Sequence, residues 1–228
     1  MAKKKATAAP QALENVEQTL TRTEKYLEEN YKTLLIGLAV IAGLAGLIWL
    51  GSIYLNKRSS DAQSQMFQAE RYFEIDSVSL ALNGDGNYLG FIDISQSYKM
   101  TKAANLAKYY AGICYLKLGE YEDAIKYLES FKKRDNVLAA TATGAIGDAY
   151  VELGDMAKGV TYYAEAASFS SNEFLTPVFL MKEGQVHESL GDYGKALEAY
   201  QRILDEYPTS TEGTTVEKHI ARVNLLNK

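Results

Sequence analysis

The sequence predicts an all-α chain in which a single N-terminal transmembrane helix precedes an α-solenoid of helix hairpins. Two observations predict this fold. Residues 34–55 form an uncharged apolar run, and a pattern of glycine, aromatic and small residues recurs three times at spacings of 35 and 37 residues. A helix of about 20 apolar residues can cross a bilayer, and repeats of this period are typical of stacked helix hairpins.

The composition excludes several classes of protein. The chain has 228 residues, of which 47% are hydrophobic and 23% charged, and it has three prolines, so it is neither collagen-like nor wholly disordered. Its single cysteine excludes a disulfide scaffold and a multi-cysteine zinc site. Its net charge of −5 argues against a nucleic-acid partner, which needs clustered positive charge.

The apolar run is predicted to be a retained membrane anchor rather than a cleaved signal peptide. Residues 1–33 precede it, it exceeds the length of a signal-peptide core, and no cleavage motif follows it. Tyr31, Trp49 and Tyr54 lie near its edges, and aromatic rings prefer the headgroup level of a membrane.

The basic residues around the run predict its orientation. Lysines and arginines are frequent before it, whereas Lys57 and Arg58 are followed by no basic residue until Arg71. Because basic flanks stay in the cytoplasm, the N-terminus is predicted to be cytoplasmic and the rest of the chain translocated. The net charge is +1 over residues 1–33 and −6 over residues 56–228.

Small residues follow one face of the predicted anchor. Ala39, Ala42, Gly43 and Gly46 recur at spacings of three and four residues. Such a face lets helix backbones approach closely in lipid, so it predicts packing against a partner helix. Glycine and alanine are also common in membrane helices without a partner, and that alternative stays open.

Three windows of the sequence align with one another, namely residues 111–125, 146–160 and 183–197. They share the frame G-x-x-[aromatic]-x-x-L-G-[acidic], followed four residues later by alanine or glycine. The Leu-Gly pair is expected to end a first helix, because glycine adopts positive φ freely. The acidic residue suits the N-terminus of a second helix, and the small residues let the two helices cross closely.

The frame resembles the tetratricopeptide repeat (TPR), a 34-residue unit of paired helices, over residues 105–210. Lys108, Thr143 and Leu180 stand where the family has a large aromatic residue, and the late proline of the family appears only as Pro208. The resemblance implies an α-solenoid whose concave face is lined by the first helix of each unit. Carried over to this chain, that face consists of Leu106, Tyr109, Ile113, Leu116, Asp148, Val151, Val178, Met181 and Gln185.

A groove of this composition would take an amphipathic helix or an extended apolar segment of a partner. Some TPR modules clamp a C-terminal carboxylate with lysine, asparagine and arginine, but Tyr109, Ile113 and Asp148 do not provide that set. The alternative, that these side chains pack against the adjoining helices and leave no open groove, stays open.

The candidate catalytic and metal-ligating residues do not combine into a site. The NGDGN stretch at residues 83–87 lacks the glycine and glutamate spacing of a calcium loop. Cys114 is expected in the core, His187 replaces the repeated aromatic residue, and His219 is expected on the exposed side of the last helix. We therefore predict no enzymatic activity, no cofactor and no small-molecule substrate.

Five segments follow from these patterns. They are a cytoplasmic tail and amphipathic helix over residues 1–33, the transmembrane helix over 34–55, a helical region with a degenerate first repeat over 56–104, three TPR-like repeats over 105–210, and a capping helix over 211–228.

This layout, together with the stretch EKYLEENYK at residues 24–32, resembles the YfgM-like ancillary subunits of the bacterial Sec translocon. The resemblance implies a single-pass protein of the bacterial inner membrane with its TPR domain in the periplasm. It also implies contacts with Sec translocon subunits, periplasmic chaperones or exported clients. Two alternatives remain: a TPR scaffold for another envelope complex, such as secretion or cell-wall machinery, and an organelle-import receptor with its repeats in the cytosol.

Overall fold

The computed structural model describes residues 9–169 and 172–227, and over these residues it confirms the all-α prediction. Strand pairing within the described part is limited to one bridge between Gly84 and Leu89. The helices are α1 Ala9–Glu74, α2 Val78–Asn83, α3 Phe91–Ser97, α4 Lys102–Leu118, α5 Tyr121–Ser130, α6 Asn136–Glu152, α7 Met156–Ser168, α8 Thr176–Ser189, α9 Tyr193–Glu206 and α10 Gly213–Leu226.

The chain divides into two compact units, Met1–Asn56 and Lys57–Lys228. In the first unit, residues 9–56 are helical throughout, and residues 1–8 of the predicted tail lie outside the described residues. The candidate span Glu29–Glu74 contains a window of mean hydropathy 2.4, none of which is buried. This helix is long and apolar enough to cross a membrane. Neither predicted segment boundary, at residue 33 or at residue 55, coincides with a helix end.

In the second unit, three helix hairpins stand where the sequence frame predicts them: α4 with α5, α6 with α7, and α8 with α9. Gly119, Gly154 and Gly191 occupy the turns with φ of +78°, +81° and +78°. In each turn the residue after the glycine donates its N–H to a carbonyl five residues back, as Asp155 does to Tyr150 over 2.8 Å. This bonding satisfies carbonyls that the ending helix leaves without a partner.

Close crossing of the two helices in each hairpin depends on glycine in the first helix. A Cβ on Gly112 would lie 2.5 Å from Leu128 Cγ, and one on Gly147 would lie 2.8 Å from Tyr163 Cδ1. Gly184 faces Tyr200 in the same way in the third hairpin. The predicted role of the small residues is therefore confirmed.

Of the three acidic residues that follow the turns, only one caps the next helix through its side chain. Asp155 caps α7, since its carboxylate accepts the N–H of Lys158 over 3.2 Å. Glu120 and Asp192 occupy the same position before α5 and α9 without a side-chain capping bond. The Asp192 carboxylate lies instead 3.5 Å from His187 Nδ1.

The region before the first hairpin packs on α4. Met66 from the end of α1 and Phe91 and Ile94 from α3 are buried together with Ala107 and Cys114 of α4. The NGDGN stretch is a turn, in which Asp85 Oδ1 accepts the N–H groups of Asn87 and Tyr88. Its second carboxylate oxygen accepts the hydroxyl of Tyr72 over 2.7 Å.

At the other end, α10 covers the third hairpin. Val216 and Val223 are fully buried in the same cluster as Tyr200 and Ile203 of α9. His219 was expected on the exposed side of this helix, and that expectation is wrong. Its ring is partly buried, 5.2 Å from the ring of Tyr200.

Candidate protein-binding surface

The predicted concave residues of α4 lie largely between hairpins. The ring of Tyr109 lies 5.6 Å from that of Phe131. Ile113 and Leu116 are partly buried against a cluster that includes Ile146 of α6. Leu106 packs against the cluster formed by α1, α3 and α4 and also lines a cavity described below.

The predicted residues of α6 and α8 differ in accessibility. Val151 is partly buried, and Met181 is buried with 9% exposure. Val178 is partly buried and Gln185 is exposed. Among the predicted apolar and neutral residues, Gln185 alone is exposed and Met181 alone is buried, and the others are partly buried.

The space beside Gly144 on this face of α6 is filled by a neighbouring helix. The ring of Phe179 from α8 fills the space, so that a Cβ on Gly144 would overlap the ring. Phe179 itself is buried. Glycine at this position allows the second and third hairpins to approach each other.

Asp148 joins three helices through one carboxylate oxygen. Its Oδ1 accepts the hydroxyl of Tyr163 over 2.7 Å and lies 2.6 Å from Nζ of Lys182. Burial of Tyr163, together with this bond to Asp148, raises the pKa of the phenol. Tyr163 therefore remains a hydrogen-bond donor throughout the physiological pH range.

Glu188 forms a second polar contact, between α8 and the capping helix. Its two carboxylate oxygens accept from Nε and Nη2 of Arg222 over 2.6 and 2.8 Å. Tyr200 donates its hydroxyl to the same carboxylate over 3.1 Å. The bonds from Arg222 lower the pKa of Glu188 below its ordinary value. A bidentate pair of this kind fixes geometry as well as charge.

A cavity of about 530 Å³ lies where the start of α4 meets the loop between α5 and α6. Its walls include Leu106, Phe131 and Leu138, so part of its lining is apolar. Five basic side chains surround it, with Asp135 as the single acidic one: Lys99, Lys102, Lys108, Lys132 and Arg134. We call this site the basic cavity. It is electropositive, although the chain as a whole has a net charge of −5.

Sequence reasoning missed the basic cavity. The available signal was the run of three consecutive basic residues at positions 132–134. Only two of the three line the cavity, because Lys133 pairs with Glu165 over 3.3 Å and lies over the ring of Phe169. The other basic residues come from a different part of the sequence, before and within α4.

The cysteine and the histidine of the repeat helices, Cys114 and His187, lie in the packed interior. Cys114 is fully buried, and burial raises the pKa of its thiol to about 12. His187 is buried, and desolvation lowers the pKa of its imidazole. Within residues 9–169 and 172–227, no three His, Cys, Asp or Glu side chains cluster closely enough to hold a metal ion.

The predicted packing face of α1 is open within the described chain. Ala39, Ala42 and Gly43 are exposed and Gly46 is partly exposed. A Cβ on Gly43 or Gly46 would meet no atom within 4 Å. The surface is therefore free to contact a helix of another chain.

Comparison with known proteins shows what the repeats are similar to. A tetratricopeptide repeat family profile matches residues 109–174 and 145–211. A TPR repeat-containing protein of Methanocaldococcus jannaschii is 26% identical over 134 residues, which are 59% of this chain and 23% of that protein. Tetratricopeptide repeat protein 8 of Caenorhabditis elegans is 30% identical over 132 residues, 55% of this chain and 25% of that protein. The chain thus spans about a quarter of the length of these curated relatives.

Solved structures share the fold of the helical array. The nearly identical TPR-like repeats of a Podosopora anserina kinesin light chain superpose with a TM-score of 0.57 at 14% identity, covering 74% of this chain and 88% of that one. The MamA protein superposes with a TM-score of 0.52 at 16% identity, covering 72% and 88%. At such identities the likeness extends to the fold alone.

Proposed function

We propose that this chain, which matches a tetratricopeptide repeat profile over residues 109–211, is a membrane-anchored TPR module that binds other polypeptides. The observation that carries the proposal is the series of three helix hairpins, α4 with α5, α6 with α7 and α8 with α9, because the first helices of such stacked hairpins line a common binding surface. The repeats supply shape and surface chemistry rather than a reaction, so we propose a non-catalytic role.

The membrane anchor is the second part of the proposal. The uncharged run at residues 34–55 and the exposed apolar surface of α1 support it. An exposed surface of this kind would be unfavourable in water and is favourable in lipid. The excess of basic residues before the run supports a cytoplasmic N-terminus and a translocated repeat domain.

We further propose that the chain is an ancillary subunit of the Sec translocon in a bacterial inner membrane, linking export to periplasmic chaperones. The layout and the stretch at residues 24–32 support this assignment. A TPR scaffold for another envelope complex has the same layout, so the identity of the co-purifying proteins distinguishes the two.

Topology is tested with protease on intact spheroplasts and on inverted membrane vesicles. The proposal expects the repeat domain to be cut in spheroplasts and protected in inverted vesicles. Digestion from the cytosolic side alone would refute a periplasmic domain.

Partner identity is tested by co-purification from membranes solubilised in mild detergent. The proposal expects Sec translocon subunits and periplasmic chaperones to be recovered with the full-length chain. Recovery of secretion or cell-wall components without translocon subunits would contradict the Sec assignment and favour the scaffold.

We propose that the accessible part of the concave face contacts the partner. Gln185→Arg places a long cation on this face without disturbing a buried residue, since Gln185 is exposed. Gln201→Arg on α9 is the matched control, because Gln201 is exposed on a second helix. The proposal expects partner recovery to fall about tenfold for Gln185→Arg and to stay unchanged for Gln201→Arg; equal recovery in both variants would exclude this face.

A further inference from the structure

We propose that the basic cavity and the smaller cavity beside it together bind an acidic polypeptide segment that also carries an apolar side chain. This inference rests on the proposed function, because it names the chemistry of one partner segment. The site shares Leu106 with the predicted concave face, but it opens at the start of α4 and at the α5–α6 loop.

The first observation is the unpaired positive charge of the basic cavity. None of the five basic side chains of the cavity forms an ion pair with a described residue. Lys108 donates only to the carbonyl of Ser130, over 3.3 Å. The carboxylate of Asp135 is already engaged, because its Oδ1 accepts the N–H groups of Val137 and Leu138 at the start of α6. The cationic groups therefore lack a counter-charge from their own surroundings and attract anionic groups.

The walls of the cavity are fixed in place before any ligand arrives. The side chain of Asn105 both donates to the carbonyl of Lys132, over 3.1 Å, and accepts its N–H, over 2.8 Å. Thr101 donates to Tyr98 and accepts the N–H of Ala104. The Asn105 bonds tie the α5–α6 loop to α4, and the Thr101 bonds fix the start of α4. A ligand would therefore not have to order these walls, and this lowers the entropic cost of binding.

A second cavity of about 390 Å³ adjoins the first, and the two share Lys102 and Leu106. It is lined by Met66 and by Phe67, a residue that is 67% exposed. Glu70 also lines it, and its charge disfavours a second carboxylate there. The carboxylates of a ligand therefore belong in the first cavity and an apolar side chain in the second.

The two-part lining favours a polypeptide over a lipid headgroup. A headgroup offers one compact anionic centre, whereas the site has cations along one part and the apolar side chains of Met66, Phe67 and Leu106 in the next. Each cavity lies within the roughly 300–1,000 Å³ typical of ligand sites. An extended acidic segment can occupy both parts through alternate contacts along its length.

Binding is tested by fluorescence anisotropy with the full-length chain in zwitterionic nanodiscs. The probe is a fluorescein-labelled peptide of four glutamates followed by two leucines, and its control has glutamines in place of the glutamates. We expect saturable binding of the acidic peptide that weakens as salt is raised, and at least about tenfold weaker binding of the glutamine peptide.

The site is tested with two double variants that remove equal charge. Lys132→Gln with Arg134→Gln lies in the cavity, and we expect it to weaken binding of the acidic peptide about tenfold. Arg71→Gln with Lys218→Gln changes two exposed basic residues that line neither cavity, and we expect less than about a twofold change. Circular dichroism checks the fold, and Lys99→Gln with Lys102→Gln replaces the first variant if it is unfolded.

Three outcomes overturn the inference: equal binding of the two peptides, equal loss in the two double variants, or cavity-dependent binding of phosphatidylglycerol vesicles without binding of the acidic peptide. The last outcome assigns the site to a lipid.

Failure of the acidic-peptide proposal is distinguishable from failure of the proposed function. If co-purification succeeds while the peptide does not bind, the partner uses another face; if the peptide binds while no partner co-purifies, the site stands and the Sec assignment falls.

Discussion

Gly147 on α6 lies so close to Tyr163 on α7 that a Cβ on the glycine would stand 2.8 Å from Cδ1 of the ring. The same sequence separation of sixteen residues joins Gly112 to Leu128 and Gly184 to Tyr200. One contact, repeated in every hairpin, therefore sets the distance between the paired helices. Alanine is the better helix former, so the glycines are present for packing.

We expect Gly147→Ala to destabilise the second unit by about 1–3 kcal/mol, because the added methyl overpacks a buried crossing. The measurement is urea unfolding of the full-length chain, followed by circular dichroism. Gly194→Ala is the control, since Gly194 lies in the first turn of α9 with no atom within 4 Å of a Cβ. The control is expected to be neutral or up to about 1 kcal/mol more stable. Equal effects of the two substitutions would show that Gly147 is not a packing residue.

The hairpins could be predicted from sequence because their determinants are local. A Leu-Gly pair ends a helix through the backbone conformation of a single residue, such as Gly154, and the small residues follow at a fixed spacing. Neither signal requires knowledge of how one hairpin sits on the next.

The accessible surface could not be predicted in the same way, because it depends on contacts between hairpins. Phe179 fills the space beside Gly144, and Met181, which the repeat register alone places in an open groove, is buried. The basic cavity needs two segments far apart in sequence, around Lys99 and around Lys132. A local pattern carries no information about their proximity.

The shared oxygen of Asp148 predicts energetic coupling between Tyr163 and Lys182. Tyr163→Phe keeps the ring that packs on Gly147 and removes one donor, and we expect it to cost about 1 kcal/mol. Lys182→Met removes the other donor. In a double-mutant cycle of urea unfolding, we expect the pair to deviate from additivity by at least about 0.5 kcal/mol.

The control for this cycle is Tyr162→Phe. The hydroxyl of Tyr162 donates to the exposed Glu129 over 3.3 Å, outside the Asp148 contact, so a change below about 0.5 kcal/mol is expected. Strict additivity of Tyr163→Phe and Lys182→Met would mean that Asp148 does not couple the two side chains.

The pair between Glu188 and Arg222 predicts a pH dependence of stability. The pKa of Glu188 is lowered in the folded chain by the bonds from Arg222. Its stabilisation is therefore fully present above the unfolded pKa of about 4.3 and is lost as the pH falls through the lower folded value. We expect the stability difference between the parent chain and Arg222→Gln to be largest near about pH 5 and to shrink towards about pH 3.

Urea unfolding at a series of pH values measures this difference. Because Arg222 also lies 2.9 Å from His219 Nδ1, all chains in the series carry His219→Gln, which removes the titration of the imidazole. Lys126→Gln, which breaks the exposed pair with Asp123, is the control and is expected to show a small difference at every pH. A difference for Arg222→Gln that stays constant down to about pH 3 would disprove the assigned coupling.

The small-residue face of α1 predicts an effect on partner association that is independent of folding. Gly43→Leu places a large side chain on the face formed with Ala39, Ala42 and Gly46, and we expect recovery of membrane partners to fall about fivefold. Gly37→Leu is the matched control, because Gly37 lies six residues away and therefore on another side of the helix. Neither substitution meets an atom of the chain within 4 Å at the Cβ.

Both variants gain the same apolar surface, so membrane insertion should be equal and is checked by resistance to carbonate extraction. Partner recovery is measured by quantitative mass spectrometry of mild-detergent extracts, normalised to the full-length chain. A selective loss for Gly43→Leu assigns the face to helix packing. If the two variants recover their partners equally, the run of small residues reflects only the ordinary composition of membrane helices.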